Sequence, residues 1–332
     1  MSEVRSGILV LRALGLGDFM TAVPALRALR ARHRDVPITL AAPRWLDPLI
    51  RWTGLVDERL DVDGLHEAPP PGRRPVLAVN LHGSGPRSHR WLLATAPVRL
   101  LSFRHSEVPA SAGGPRWSDD EHQAARWCRL LRWFGIEADA GNLEIPVPPP
   151  PAWDHNPDYV VVHPGAKDAA RRWPPDRWGH VAAEMSARGH RLVITGDAGE
   201  RPLAEHVASA GGVRRGDVLA GELDVLELAG LVARARAVLC GDTGVAHLAT
   251  ALARPSVVLF GPTPPSQWGP PVSPLHRVLW SGTSGDPHGR EPFAGLTAIT
   301  AEDVVRAFED VPLDATLPRG TATVERASPD DP

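Results

Sequence analysis

Four places in the chain carry side chains that could do chemistry. Asp18 follows Gly15-Leu-Gly17. Lys167, Arg171 and Arg172 crowd the stretch His163-Pro-Gly-Ala-Lys-Asp-Ala-Ala-Arg-Arg-Trp-Pro174. Asp242, Thr243, Gly244 and His247 lie within Cys240-Gly-Asp-Thr-Gly-Val-Ala-His247, and Asp61-Val-Asp63 forms a D-x-D. A carboxylate at a loop mouth can take a proton from an attacking hydroxyl. Three cations on one long loop suit a diphosphate, and a helix that opens at Thr243-Gly244 would add free N–H groups for the same ligand. D-x-D is the pattern of metal-dependent sugar transferases. Each place also has a plainer reading. Asp18 could cap a helix, and so could Asp242 or Thr243. The cationic loop could be solvated. His247, one turn into a helix, could be a hydrogen-bonded core group. Asp61 and Asp63 sit where a strand runs into a loop, and a solvated strand end is the better account of so short a match.

Several chemistries find little support in the sequence. Gly15 and Gly17 do not make a dinucleotide fingerprint. The third glycine position is Met20, and the second strand ends Ala41-Ala-Pro43 without an acid for a ribose hydroxyl. There is no G-x-x-x-x-G-K-[ST], no G-x-S-x-G, no H-E-x-x-H and no paired C-x-x-C, and Cys240, Asp242 and His247 lack the ligand number and spacing of a metal site, so no metal is expected. A net charge of −3 gives no overall attraction to nucleic acid or anionic membrane. Lys167 is the only lysine among 36 basic residues, which points to a GC-rich genome and not to a basic patch. Two cysteines, Cys128 and Cys240, both in apolar segments, suit buried thiols in a reducing cytoplasm. No apolar run reaches the 18–20 or so residues of a bilayer span.

The elements that must position these groups alternate between strand and helix. In the first half, strands are expected over 7–11, 38–42, 56–62, 76–81 and 98–103, with helices over 19–33, 45–52, 87–96 and 119–134. Pro146-Val-Pro-Pro-Pro-Pro151 reads as a semi-rigid linker. A second alternation follows, with strands over 159–162, 191–195, 218–221, 237–240 and 256–260 and helices over 175–188, 201–210, 224–233, 245–253 and 301–309. The pattern predicts two doubly wound α/β domains, 1–147 and 148–311, with a disordered tail over 312–332. In such sheets ligands bind at the carboxyl ends of the strands, where Asp18, the 163–174 loop and Asp242 all fall.

Together these motifs resemble glycosyltransferase family 9, the heptosyltransferases of bacterial surface polysaccharide assembly. Gly17-Asp-Phe-Met-Thr-Ala-Val-Pro-Ala25 looks like the family's opening block. His163-Pro-Gly-Ala166 with Arg171-Arg-Trp-Pro-Pro-Asp-Arg-Trp178 looks like its phosphate loop. Asp242-Thr-Gly-Val-Ala-His-Leu248, followed by Leu259-Phe-Gly-Pro-Thr263 and Trp268-Gly-Pro270, looks like its signature. Smaller matches run from Thr195-Gly196 to Glu200 and over Leu219-Ala-Gly221.

The resemblance implies a GT-B fold: two Rossmann-like domains facing a cleft, acceptor in the first and nucleotide sugar in the second, with the 301–309 helix returning to the first. It implies inverting transfer from an ADP-sugar without metal or other cofactor. Asp18, near the Gly15 and Gly17 loop, takes the place of the general base. Arg171 stands where a lysine usually neutralises the diphosphate, with Lys167 or Arg172 able to share the task and Thr243 and Gly244 adding N–H groups. Asp242 matches a donor-sugar ligand and His247 a residue near the donor. Gly165 and Ala166 stand where some members carry hydroxyls, and Gly221 belongs to the donor side. The acceptor would be a glycan, a lipid-linked sugar or a small molecule, a lipid acceptor bringing the protein against the cytoplasmic face of a membrane. Three rivals stay open: a GT-B-like sugar-nucleotide epimerase, a relative that binds nucleotide sugars without catalysis, and an NAD oxidoreductase.

Overall fold

The computed structural model describes residues 7–69, 73–153 and 158–313. Its first half is a five-stranded parallel sheet. The elements run β1 (Ile8–Leu11), α1 (Leu16–Arg32), β2 (Ile38–Ala42), α2 (Asp47–Thr53), β3 (Glu58–Asp61), β4 (Leu77–Asn80), α3 (Arg87–Leu93), β5 (Arg99–Leu101) and α4 (Gln123–Trp133). The second half repeats the plan with β6 (Val160–His163), α5 (Pro175–Ala187), β7 (Leu192–Ile194), α6 (Arg201–Ala210), α7 (Val225–Arg234), β8 (Ala237–Gly241), α8 (Gly244–Ala251), β9 (Ser256–Leu259), α9 (Pro265–Trp268), β10 (His276–Leu279), α10 (Ala294–Thr297) and α11 (Ala301–Glu309). The strand orders are β3-β2-β1-β4-β5 and β10-β9-β8-β6-β7. The central strands β1, β4, β6, β8 and β9 are apolar runs because helices cover both of their faces.

Each sheet has one point where successive connections depart in opposite directions: between β1 and β4 in the first, between β6 and β8 in the second. Crevices open at such points, beyond the strands' carboxyl ends. The loops there are 12–15 and 81–86 in the first sheet, and 164–174 and 242–243 in the second.

The two halves pack against each other. Helices α1 and α8 lie in contact, as do α2 and α7. One hydrophobic cluster runs from Leu16, Phe19 and Val23 of α1 through to Val245, Leu248 and Leu252. The proline-rich segment lies outside any helix or strand, and it is pinned on both sides. Trp52 Nε1 donates to the Pro146 carbonyl at 2.9 Å and Arg234 Nη1 to that of Pro148 at 2.9 Å.

Four sequence expectations need correction. Helix α1 starts at Leu16 with Gly15 as its N-cap, so Asp18 is inside the first turn and caps nothing. Thr243 is the N-cap residue of α8, but neither its side chain nor that of Asp242 makes a capping bond there. Residues 218–221 form no strand: Val218 makes a single bridge to Ile194, and Gly221 turns the chain away at φ +76°. The 301–309 helix does not return to the first sheet. Its apolar face, Val304, Val305 and Phe308, packs on α5, β9 and β10, and Trp173 Nε1 donates to the Ile299 carbonyl just before it at 3.1 Å. Strand β10 lies between 256–260 and 301–309, where the sequence pattern marks no element. The tail expected from 312 lies, from 314 on, outside the described residues.

Candidate active site

The two crevices face one another where α1 meets α8. A Cβ on Gly17 would stand 2.9 Å from His247 Cδ2, and one on Gly244 would stand 2.6 Å from the Leu16 Cβ. Two glycines, one at each helix start, therefore let the ends meet at this distance. The N-terminal ends of both helices, with their unpaired N–H groups, thus open on one space.

On the α1 side the site presents the Asp18 carboxylate. Arg12, the residue after β1, is almost wholly buried. Its Nη2 lies 2.9 Å from Asp18 Oδ1, and its Nε donates to the Asp18 carbonyl at 2.9 Å. The Asp18 carboxylate remains about a quarter exposed, so it is both held and reachable. Burial lowers the Arg12 pKa to about 10, and the Asp18 charge opposes that fall. Arginine keeps its proton at neutral pH even so.

Next to this pair, beyond β4, a cavity of about 340 Å³ is lined by Leu65, His66, His82, Ser84, Arg87 and Ser88, among others. Arg87 donates to the Leu65 carbonyl and so draws the 63–68 turn over the cavity. His82 Nδ1 is buried there without a hydrogen-bond partner among the described residues. Burial, with Arg12 and Arg87 nearby, pulls the His82 pKa down to about 4, so this imidazole is neutral at physiological pH.

On the α8 side the loop after β6 bends Arg171 back toward the helix start. Its Nη1 donates to the Asp242 carbonyl at 3.4 Å, its Nη2 pairs with Asp168 at 3.1 Å, and its Nε is buried without a partner among the described residues. Arg172 is used differently. Its donors go to the carbonyls of Ala166 and Lys167, at 2.7 and 3.3 Å, so it braces the loop from within. Lys167 is exposed at the loop's tip. Gly165 and Ala166 are buried, and a side chain on Gly165 would collide with the Glu200 carboxylate. Glu200 itself closes a capping box with Asp197. Gly221 lies against Ala198 of the same turn, where a Cβ would stand 2.7 Å from the Ala198 Cα. The second group of sequence candidates therefore forms one wall, with Arg171 turned inward and Lys167 outward. Among the described residues no group of three or more His, Cys, Asp or Glu side chains is placed to hold a metal ion. No helix among them is long and apolar enough to cross a membrane.

Asp242 is 6% exposed, and burial raises its pKa to about 6, with Arg171 opposing the rise and the Asp18 charge adding to it. His247 is pushed the other way, to about 4, by burial and by His122 and Arg12. Its ring meets Trp268 edge-on at 5.9 Å, and His122 Nε2 bonds the Gly269 carbonyl at 3.0 Å, tying α4 to the loop beyond α9.

A stability prediction follows from Asp242. Its folded pKa lies above the ordinary 3.8. The folded chain thus holds this proton where the unfolded chain has released it, and stability drains away as pH rises from about 4 to about 6, at about 1.4 kcal/mol per unit of separation. Asp242→Asn removes that loss, while the Asp242 carbonyl that receives Arg171 remains. We expect the variant without ligand to melt several degrees above the parent at pH 7.5, the gain closing near pH 4. Thermal melts across this range check it; equal destabilisation at every pH would contradict it.

A carboxylate on one side and an arginine beside a helix N-terminus on the other meet at the seam of a two-sheet α/β fold. The chain belongs to glycosyltransferase family 9 (heptosyltransferase): that family's model matches residues 101–292, more than half of the chain. It is 26% identical over 270 residues to lipopolysaccharide heptosyltransferase 2 of Escherichia coli K12, covering 70% of this chain and 76% of that protein. Among solved structures it is similar to a family 9 glycosyl transferase of Veillonella parvula, with a TM-score of 0.76 and 20% identity over 92% of this chain and 97% of the other. It is similar also to the E. coli ADP-heptose LPS heptosyltransferase II, with a TM-score of 0.70 and 22% identity over 91% and 97%. The fold is the GT-B arrangement of those structures, and the chain is a glycosyltransferase.

The sequence brought forward Asp18, Arg171, Asp242, Thr243, Gly244 and His247, and these converge. Thr21, Asp168 and Trp268 stand in it only as members of longer stretches with no role of their own, and Arg12 and His82 carry no role in it. Arg12 did leave a signal, a charge placed directly on the end of an apolar strand. The others are ordinary loop or helix residues until the fold brings them together.

Proposed function

We propose that this enzyme transfers a heptose or related sugar from an ADP-sugar to an acceptor hydroxyl, with inversion and without a metal. The observation that carries the reading is the meeting of α1 and α8, which sets the partly exposed Asp18 carboxylate opposite the start of α8 and the inward-turned Arg171. The donor lies on the second unit, 148–311. Its diphosphate takes Arg171, the N–H groups of Thr243 and Gly244 and, from the loop tip, Lys167. Its sugar lies against Asp242 and His247, with Gly165, Ala166 and Gly221 shaping the wall. The acceptor enters the first unit, 1–147, through the cavity beyond β4.

In the transfer, the acceptor oxygen forms a bond to the anomeric carbon as its proton passes to Asp18. The bond from that carbon to the diphosphate breaks, and its electron pair leaves on the diphosphate oxygen facing Arg171. Attack from the face opposite the leaving group inverts the centre. ADP as the nucleotide and heptose as the sugar are supported by the family and by what the E. coli relative is named for. The relative named for lipopolysaccharide supports a lipid-linked glycan as acceptor.

The test is product analysis. Purified protein is incubated with β-configured ADP-heptose and lipid-linked or free oligosaccharide acceptors, after chelator treatment, and the new linkage is read by NMR. We expect ADP release that depends on acceptor, and an α linkage. ADP release at full rate without acceptor would favour an epimerase or hydrolase, and a β linkage would refute direct displacement.

A further inference from the structure

Arg12 has more partners than any ordinary core residue needs. A buried cation is costly unless every donor is used, and here they are used on one purpose. Nε and Nη2 grip Asp18 twice, at its carbonyl (2.9 Å) and at Oδ1 (2.9 Å). Nη2 also reaches Thr21 Oγ1 at 3.2 Å, and that hydroxyl donates back to the Asp18 carbonyl at 3.0 Å. Nη1 donates to the Leu81 carbonyl at 2.6 Å, one residue before His82 of the cavity beyond β4. The guanidinium plane rests over the Trp127 ring of α4, 4.7 Å from its centroid. Capping does not explain the arrangement, because Gly15 is the N-cap and Asp18 is tied across space to a strand end.

We propose that Arg12 is the positioning residue for the base. It fixes the Asp18 rotamer, occupies Oδ1 so that Oδ2 is the oxygen that takes the acceptor's proton, and, through Leu81, sets the separation between that oxygen and the floor of the acceptor cavity. A lysine could supply the charge but not the fork, since one ammonium cannot reach the Asp18 carboxylate, the Asp18 carbonyl and Leu81 in fixed directions. This inference rests on Asp18 being the base. The other charged or titratable groups around the pair are Arg126, His82, Asp242, His122 and His247.

The experiment compares Arg12→Gln, Arg12→Lys and Thr21→Val with Asp18→Asn in the full chain, measuring kcat, both KM values and ADP affinity. We expect Arg12→Gln to lose roughly 10²-fold in kcat, the scale of a misplaced catalytic group, with ADP affinity within twofold of the parent. Arg12→Lys should restore only part of the kcat, because it keeps the charge without the fork. Thr21→Val, which keeps the charge, should lower kcat several-fold with both KM values unmoved. If Arg12→Gln does not fold, Thr21→Val and Arg12→Lys decide. Loss of ADP affinity in step with activity, or unchanged kcat in Thr21→Val and Arg12→Lys, overturns the proposal. If Asp18→Asn keeps parental activity, the reading of the base has failed; if it is inactive while the Arg12 variants are normal, only the positioning role has.

Discussion

Asp18→Asn is expected to lower transfer by roughly 10²–10⁴-fold, the usual worth of a placed general base, while the fold is retained. The substitution is nearly isosteric. The amide oxygen can still accept from Arg12 Nη2, the Asp18 carbonyl keeps its bonds to Arg12 and Thr21, and the helix starts at Gly15 without help from this side chain. What is lost is an oxygen able to carry away the acceptor's proton. The loss should appear in kcat, because neither substrate is held chiefly by this carboxylate. Initial rates of ADP release at saturating donor and acceptor measure it. Activity within threefold of the parent would remove Asp18 from the chemistry.

Arg171→Ala is expected to have the second largest effect, roughly 10²–10³-fold in kcat/KM for the donor, the scale seen when a preorganised group that stabilises transition-state charge is removed. Charge develops on the diphosphate as the sugar leaves, and Arg171 Nε is a buried donor with no partner among the described residues. Its Nη atoms are already steadied by Asp168 and the Asp242 carbonyl, so the group is set before the donor arrives. Arg171→Lys separates charge from geometry. It should restore part of the loss, because the ammonium keeps the charge but cannot pair with Asp168 and Asp242 while also facing the diphosphate. Donor kinetics of the two variants check this; equal rates in Arg171→Ala and the parent would reassign the cation to Lys167.

Much of the plan was legible in the chain. The alternation of short apolar runs with helical stretches is a strong signal for parallel sheets, because strands covered on both faces need no polar alternation. The polar residues at the ends of those runs mark the crevices, so Asp18, Arg171 and Asp242 stand out from the sequence alone. The pattern failed where a residue's role is set by something distant in sequence. Asp18 at a glycine turn reads as a helix cap, yet its partner is Arg12, across the turn on the end of β1. Arg171 and Arg172 are neighbours of the same type, but one faces the site and the other braces its own loop, a difference that only the path of the backbone decides. Strand β10 carries two polar residues in four and pairs at a sheet edge with β9 alone, so its pattern was too weak to stand out from the glycines and prolines around it. Helix α11 was recognised as a helix, but its amphipathic face does not say which sheet it covers.

The central claim is a division of labour across one seam: the base on the first unit, the diphosphate on the second. Titration calorimetry of ADP against the parent, Asp18→Asn and Arg171→Ala tests it most directly. The division predicts that Asp18→Asn binds ADP within twofold of the parent, while Arg171→Ala binds it at least tenfold more weakly. Weakening of ADP by Asp18→Asn to the level of Arg171→Ala would place Asp18 in the donor site and contradict the account.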